Sequence, residues 1–198
     1  MKRTDIINVF IQKYGYKSYL EVGTQDPTSN FDKIDVEYKV SIDPFPKGDV
    51  TFVGTSDEYF QSITDDIKFD IIFIDGLHHN NQVLKDIENS LNHLSENGTI
   101  VCHDCLPTTE LMQERDDHGG EWTGDVWKAI AELRVETLDL DIKVINTDYG
   151  CGIIRRGTNL PYQINAENYK TYSYYDKHKN EMLNIISTEQ FIEWINIV

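Results

Sequence analysis

Phe69-Asp70-Ile71-Ile72-Phe73-Ile74-Asp75-Gly76-Leu77-His78 decides the fold. Ile71 to Ile74 are four consecutive large apolar residues, three of them β-branched, which predicts a central strand buried on both faces. Downstream, Val83, Leu84, Ile87, Leu91 and Leu94 recur at helical spacing, and Asn97-Gly98 is expected to end that helix. Thr99-Ile100-Val101-Cys102 is the next strand. Upstream, Ser18-Tyr19-Leu20-Glu21-Val22 reads as a strand stopped by Gly23, and Tyr38 to Asp43 as a second, halted by Pro44 and Pro46. Val50 to Val53 is a third, after which Thr55-Ser56-Asp57-Glu58 opens a helix.

Toward the ends, Thr4 is expected to cap a first helix carrying Ile6, Ile7, Val9, Phe10 and Ile11, closed by Gly15. A helix with Val126, Trp127, Ile130 and Leu133 follows a long polar stretch, residues 107–124. Ile142 to Ile145 and Cys151 to Ile154 then flank Asp148-Tyr149-Gly150, a hairpin signal. Strands alternating with helices give an α/β fold: a Rossmann-like, doubly wound, seven-stranded sheet, mostly parallel, with a C-terminal antiparallel hairpin and helices on both faces. Residues 1–156 are expected to form this domain. Residues 157–198 form a helical extension that packs on it or on a partner subunit, giving a homodimer in the second case. In that tail Ser187, Thr188 and Gln190 cap a helix bearing Phe191, Ile192, Trp194 and Ile195.

Composition excludes several classes. The chain has 198 residues, 18 Lys plus Arg against 34 Asp plus Glu, and a net charge of −16. Such a surface repels phosphate backbones and anionic lipid, so neither nucleic acid nor membrane is an expected partner. No apolar run approaches the ~20 residues of a membrane span. The N-terminus lacks a signal peptide's long apolar stretch, and three cysteines make no disulfide framework. A cytoplasmic location is the expectation.

In open parallel sheets ligands bind at the carboxyl ends of strands, where strand order reverses. The residues there are Glu21-Val22-Gly23, Asp43, Gly54-Thr55-Ser56, Asp75 and His103-Asp104. Gly23 is followed by Thr24, Gln25, Asp26 and Pro27, so the Gly-x-Gly-x-x-Gly loop of a dinucleotide site is absent. Singly, Asp43 before Pro44 can start a turn and Ser56 can cap a helix. At successive strand exits they point together to a ligand.

Leu20-Glu21-Val22-Gly23-Thr24, Ser41-Ile42-Asp43, Gly54-Thr55-Ser56 and Phe73 to His78, in this order, resemble the class I S-adenosylmethionine (SAM)-dependent methyltransferases. The resemblance covers roughly residues 15–156 and implies SAM as cofactor. It implies that Glu21, Gly23 and Thr24 line the methionine end, with Asp75 beside them. Asp43 would accept hydrogen bonds from both ribose hydroxyls, and Ser56 would approach the adenine. A ribose diol offers two donors and a carboxylate accepts both.

Asp75-Gly76-Leu77-His78 and His103-Asp104 follow adjacent central strands. They are similar to the metal-dependent O-methyltransferases of the catechol and sugar-modifying types. That resemblance implies Mg2+ or Mn2+ on Asp75 and Asp104, His78 as general base, and His103 as a third ligand or a support behind the first two. Asp75 serves equally as an unmetallated acceptor. A sugar hydroxyl is a poor nucleophile until its proton is being removed, which a cation and an imidazole together achieve. His79 falls in the first turn of the next helix, and His93 is expected to be solvated. The Cys102-His103-Asp104-Cys105 spacing lacks the further ligands of structural zinc.

Residues 116–125 read as a lid over the acceptor, with Trp122 stacking on it, His118 or Asp125 hydrogen-bonding it, and Tyr149 on the same rim. Alternatively Trp122 and Trp127 pack in the core and Thr123 caps the helix. The expected function is methyl transfer to a hydroxyl of a small polyhydroxylated acceptor, a sugar or glycosylated metabolite. Two other classes stay open. One is a metal-dependent hydrolase or oxygenase using Asp75, His78 and His103, and the other is a non-catalytic cofactor-binding scaffold.

Overall fold

The computed structural model describes residues 1–158, 161–164 and 167–197. Its sheet strands are β1 (Ser18–Val22), β2 (Tyr38–Asp43), β3 (Phe52–Val53), β4 (Phe69–Ile74), β5 (Leu94–Cys102), β6 (Leu140–Ile145), β7 (Cys151–Arg156) and β8 (Ile185–Ile186). Their spatial order is β3-β2-β1-β4-β5-β7-β6-β8. β1 to β5 pair in parallel, and β7 runs antiparallel to both β5 and β6. The order reverses between β1 and β4, so the cleft opens where Val22 and Ile74 end their strands.

The helices are α1 (Arg3–Tyr14), α2 (Ser56–Ser62), α3 (Asn80–Asn92), α4 (Val126–Glu136), α5 (Tyr172–Met182) and α6 (Thr188–Ile197). Alternate β4 residues feed opposite layers. Ile72 and Ile74 join α3, α4 and Tyr175 on one face, and Ile71 and Phe73 join α1 and α6 on the other. Ile71 to Ile74 are all at most 2% exposed, as expected for a strand covered on both sides.

The tail corrects the strand count from seven to eight. Ile185 and Ile186 pair in parallel with Val144 and Ile145 at the edge. In α6, Phe191 and Ile195 are buried against Phe10, whose ring lies 5.7 Å from that of Phe191. Trp194 is half-buried, with the Lys143 ammonium 4.7 Å from its ring centroid. Ser187 and Gln190 do make the reciprocal cap, each backbone N–H meeting the other's side chain.

Several local boundaries also differ from the sequence reading. α1 begins at Arg3 behind an N-cap at Lys2, and Thr4 instead donates to Asn30. α3 ends at Asn92, and Asn97-Gly98 lies within β5. His93 is buried rather than solvated: its Nδ1 lies 2.9 Å from the Ile67 carbonyl and its ring stacks on Phe60. Thr123 does not cap α4, whose N-cap is Asp125; its hydroxyl donates to the Met112 carbonyl. Among the described residues no helix is long and apolar enough to cross a membrane.

Candidate active site

Packing brings the strand exits together. Gly23 has φ +85°, and a Cβ there would lie 2.3 Å from the Asp75 carbonyl oxygen, so only glycine lets the ends of β1 and β4 meet this closely. Asp43, 7% exposed, accepts the backbone N–H groups of Gln25 at 2.9 Å and Phe45 at 2.7 Å, one on each oxygen. A carboxylate has about four acceptor positions. Each Asp43 oxygen therefore keeps capacity for one hydroxyl, as binding of a ribose diol requires.

Glu21 sits beneath this cleft, fully enclosed. Tyr19 and Asn30 both donate to its Oε2. Burial pushes its carboxyl up to about 7, against the pull of those two hydrogen bonds. Thr24 is buried and donates to the Glu21 carbonyl. Thr55 caps α2, and Ser56 in its first turn donates to Asp86 at 2.6 Å. Asp86 is 1% exposed and its carboxyl is pushed up to about 6 by burial, against the hydrogen bonds from Ser56 and Gln82. Glu21 and Ser56 thus stand on the predicted side of the sheet with side chains already engaged by protein.

The densest chemistry lies at the ends of β4 and β5. His78 Nε2 is 3.4 Å from Asp75 Oδ1, and its Nδ1 is 3.4 Å from Asp104 Oδ2. His103 Nδ1 lies 3.2 Å from both Asp75 Oδ1 and Asp104 Oδ1, and its Nε2 3.5 Å from Asp148 Oδ2. Three of these ring nitrogens, His78 Nδ1 and both of His103, are buried without a hydrogen bond of acceptable angle. Buried polar atoms are rarely left so.

The burial of His78 opposes its charge, but the Asp75 and Asp104 carboxylates outweigh it and hold the imidazole's pKa above the usual histidine value. His103 is raised further for the same reason, by Asp75, Asp104 and Asp148. Asp75 is held well below the carboxylate range: burial opposes this, and the two imidazoles prevail.

Single ligand atoms of Asp75, His78 and Asp104 come within 4.8 Å of one another, as do those of His103, Asp148 and Cys151. Ligands at right angles around an ion at about 2.1 Å stand about 3 Å apart. The carboxylate oxygens and the orphaned ring nitrogens are donor types that a divalent ion takes. His78, read from sequence as a base, belongs to the same tight set as Asp75 and Asp104, while His103 faces both sets.

Two residues here escaped the sequence reading. Arg3 reaches in from α1: its Nη1 donates to Asp75 Oδ2 at 2.9 Å and its Nε to Asp148 Oδ2 at 2.8 Å. Asp148, at the hairpin tip with φ +49°, also accepts the Arg3 backbone N–H at 3.0 Å. Nothing local in sequence joins position 3 to positions 75 and 148. Only the docking of α1 does.

The stretch read as a lid packs over His78. Trp122 stacks on its ring at 4.7 Å between centroids and 22° between planes. The Trp122 Nε1–H donates to the Glu114 carbonyl at 2.7 Å. The base of the lid is clamped: Gly124, φ +57°, packs against the His78 carbonyl, which also accepts the Asp125 N–H. Asp125 is buried and accepts the Asn80 N–H at 2.7 Å, so it anchors α3 rather than facing an acceptor. His118 and Trp122, with Met112 and Glu121, line a cavity of about 250 Å³. Tyr149 donates to Glu121 at 2.5 Å across the same rim. Trp127 packs in the core, and Cys102 and Cys105 are buried free thiols.

A methyltransferase-domain family model matches residues 37–105, the stretch holding Asp43, Ser56, Asp75, His78, His103 and Asp104. Solved structures share the fold. The O-methyltransferase from Bacillus cereus, in complex with S-adenosylhomocysteine (SAH), superposes with TM-score 0.59 at 15% identity, covering 79% of this chain and 82% of that one. The SAH-bound Podospora anserina methyltransferase PaMTH1 gives 0.57 at 18%, covering 76% of each chain. TomG, an O-methyltransferase from Streptomyces achromogenes solved with SAM, gives 0.56 at 12%, covering 78% and 79%. No curated protein matches the chain in sequence. Residues 37–105 thus match a methyltransferase-domain family model, and the chain shares the fold of these solved methyltransferases.

Proposed function

We propose that the protein transfers a methyl group from SAM to a hydroxyl of a small polyhydroxylated acceptor, a sugar or a metabolite bearing one, with a divalent ion at the centre. The observation that carries the metal is the set of buried ring nitrogens, unbonded yet 3.2–3.5 Å from the oxygens of Asp75, Asp104 and Asp148. When bound, SAM supplies an activated methyl on a sulfonium, and the ion supplies a Lewis acid for the acceptor oxygen. Asp43 holds the ribose diol with the lone pairs left by Gln25 and Phe45. Gly23 and Thr24 set the path of the chain beside Asp75. Asp75, Asp104 and His78 hold the ion, and His103 supports both carboxylates from behind.

His78 is also the imidazole nearest the lid; a metal-bound imidazole carries its proton on the outer nitrogen and accepts none, so its role as general base is the alternative to ligation. Trp122 and the 250 Å³ cavity beside it offer an aromatic wall and room for roughly one sugar ring. His118 and Tyr149 stand at its edge as hydrogen-bonding groups. The −16 net charge favours neutral or cationic acceptors over phosphorylated ones.

Calorimetric titration of chelator-stripped protein with SAH, with and without Mn2+ or Mg2+, tests the reading. SAH binding that weakens in Asp43→Ala supports it. No binding under either condition overturns it.

A further inference from the structure

Arg3 carries an arrangement that methyl transfer alone does not call for. Its guanidinium lies between two carboxylates from different elements, Asp75 at the exit of β4 and Asp148 at the β6–β7 turn. Its own backbone N–H is fixed by Asp148, and Thr147 donates to the Met1 carbonyl at 2.6 Å. The start of α1 is thereby pinned to the hairpin at three points. Asp75 is split by this contact: Oδ2 belongs to Arg3, while Oδ1 faces His78 and His103.

The charges are as particular as the geometry. Asp75, Asp104 and Asp148 carry −3, and Arg3 brings this to −2 once a bound ion has displaced the protons that these carboxylates otherwise hold on the imidazoles. One divalent ion balances that sum. Without Arg3 the surplus would be −1, and Asp75 would be free to turn both oxygens inward.

We infer that Arg3 is a positioning residue of the metal centre, limiting Asp75 to one inward oxygen and matching the charge of the carboxylate cluster to a divalent ion. The inference rests on the metal-binding reading above. Arg3 touches no reacting atom. It acts through Asp75 and Asp148, and it links correct docking of the N-terminal helix to assembly of the site.

The test uses the full chain stripped with chelator and titrated with Mn2+ alone, so no acceptor is needed. Arg3→Met removes the charge and keeps the apolar stem, while Arg3→Lys keeps the charge and loses the fork. At about 6 Å and the dielectric of water, a unit charge alters the affinity of a divalent ion by about tenfold. Arg3→Met should therefore bind Mn2+ about tenfold more tightly than wild type, and Arg3→Lys within about threefold of it. Mn2+ at one fixed concentration should also raise the thermal midpoint of Arg3→Met by more than that of wild type.

A purely structural arginine would lower the midpoint and leave Mn2+ affinity equal or weaker; that result overturns the inference. Should Arg3→Met not fold, Arg3→Gln, which keeps a donor for Asp148, carries the same expectation. Wild-type protein that takes up no Mn2+ but binds SAH would overturn the metal reading and this inference together, leaving methyl transfer standing. Wild type that binds both, beside an unchanged Arg3→Met, would overturn only the role given to Arg3.

Discussion

Trp122 and His78 lie ring on ring, 4.7 Å apart, although 44 positions separate them in the chain. His78 is set by the turn after β4 and Trp122 by the loop before α4. Their contact makes that loop and the candidate centre one unit. Two clamps enforce it: Gly124 against the His78 carbonyl, and Trp122 Nε1–H to Glu114.

Trp122→Ala should release the lid. The aromatic pair contributes about 0.5–1.5 kcal/mol and the indole hydrogen bond about 1 kcal/mol. A loss of about 2 kcal/mol corresponds to roughly 30-fold faster opening of residues 114–123. Hydrogen exchange read by mass spectrometry checks this, and the exchange of β4 should stay unchanged.

Gly23→Ala should be among the most damaging single-methyl changes. Its Cβ would meet Asp75 and Gly76 backbone at 2.3–2.6 Å, with φ at +85° besides. Left-handed backbone alone costs a non-glycine residue about 1–2 kcal/mol, and the clash adds to it. At about 2–4 °C per kcal/mol for a domain of this size, a midpoint at least about 6 °C lower is expected, with SAH binding lost. Scanning calorimetry and titration measure the two effects.

Stability should fall as pH rises from about 4 to about 7. Glu21 and Asp86 titrate near 7 and 6 in the folded protein, above their ordinary 4.5 and 3.8. Within that window the folded state holds protons that the unfolded chain has released, so raising pH favours unfolding. Each shift is worth about 3 kcal/mol, complete above the folded value and absent below the unfolded one. Glu21→Gln should flatten the upper part of the curve and Asp86→Asn the lower. Denaturant titrations at pH 4, 5.5 and 8 check the sign.

Phe191→Ala should show that the tail is part of the core. Phe191 is fully buried against Phe10 on the α1 side of the sheet. Such truncations cost about 3–5 kcal/mol. A single cooperative transition about 10 °C lower is expected, at the same 2–4 °C per kcal/mol. An unchanged midpoint would mean that α6 is dispensable to the domain.

The sequence by itself determined the sheet and the order of its strand exits. Ile71 to Ile74 could only be a strand covered on both faces, and Gly23, Asp43, Ser56, Asp75 and His103-Asp104 then had to stand along one edge of the sheet. That inference works because strand direction and right-handed crossovers are short-range rules written in apolar spacing and turn residues. Helix ends were less legible. Asn97-Gly98 looked like a helix stop, yet Leu94 already pairs with Phe69 in the sheet, where ladder hydrogen bonds outweigh a weak local turn preference.

Only the tertiary structure decided what surrounds those exits. Ile185 and Ile186 gained a strand by pairing with Val144 and Ile145, and His93 lost its solvent by stacking on Phe60. Arg3 and Asp148 came to the centre from two distant segments, and Trp122, expected against the acceptor, stacked on His78. A pair such as Arg3 and Asp75 leaves no periodicity or spacing to read. It exists because α1 buries Ile6, Ile7 and Phe10 on one face of the sheet, and that burial carries the guanidinium to the carboxylates.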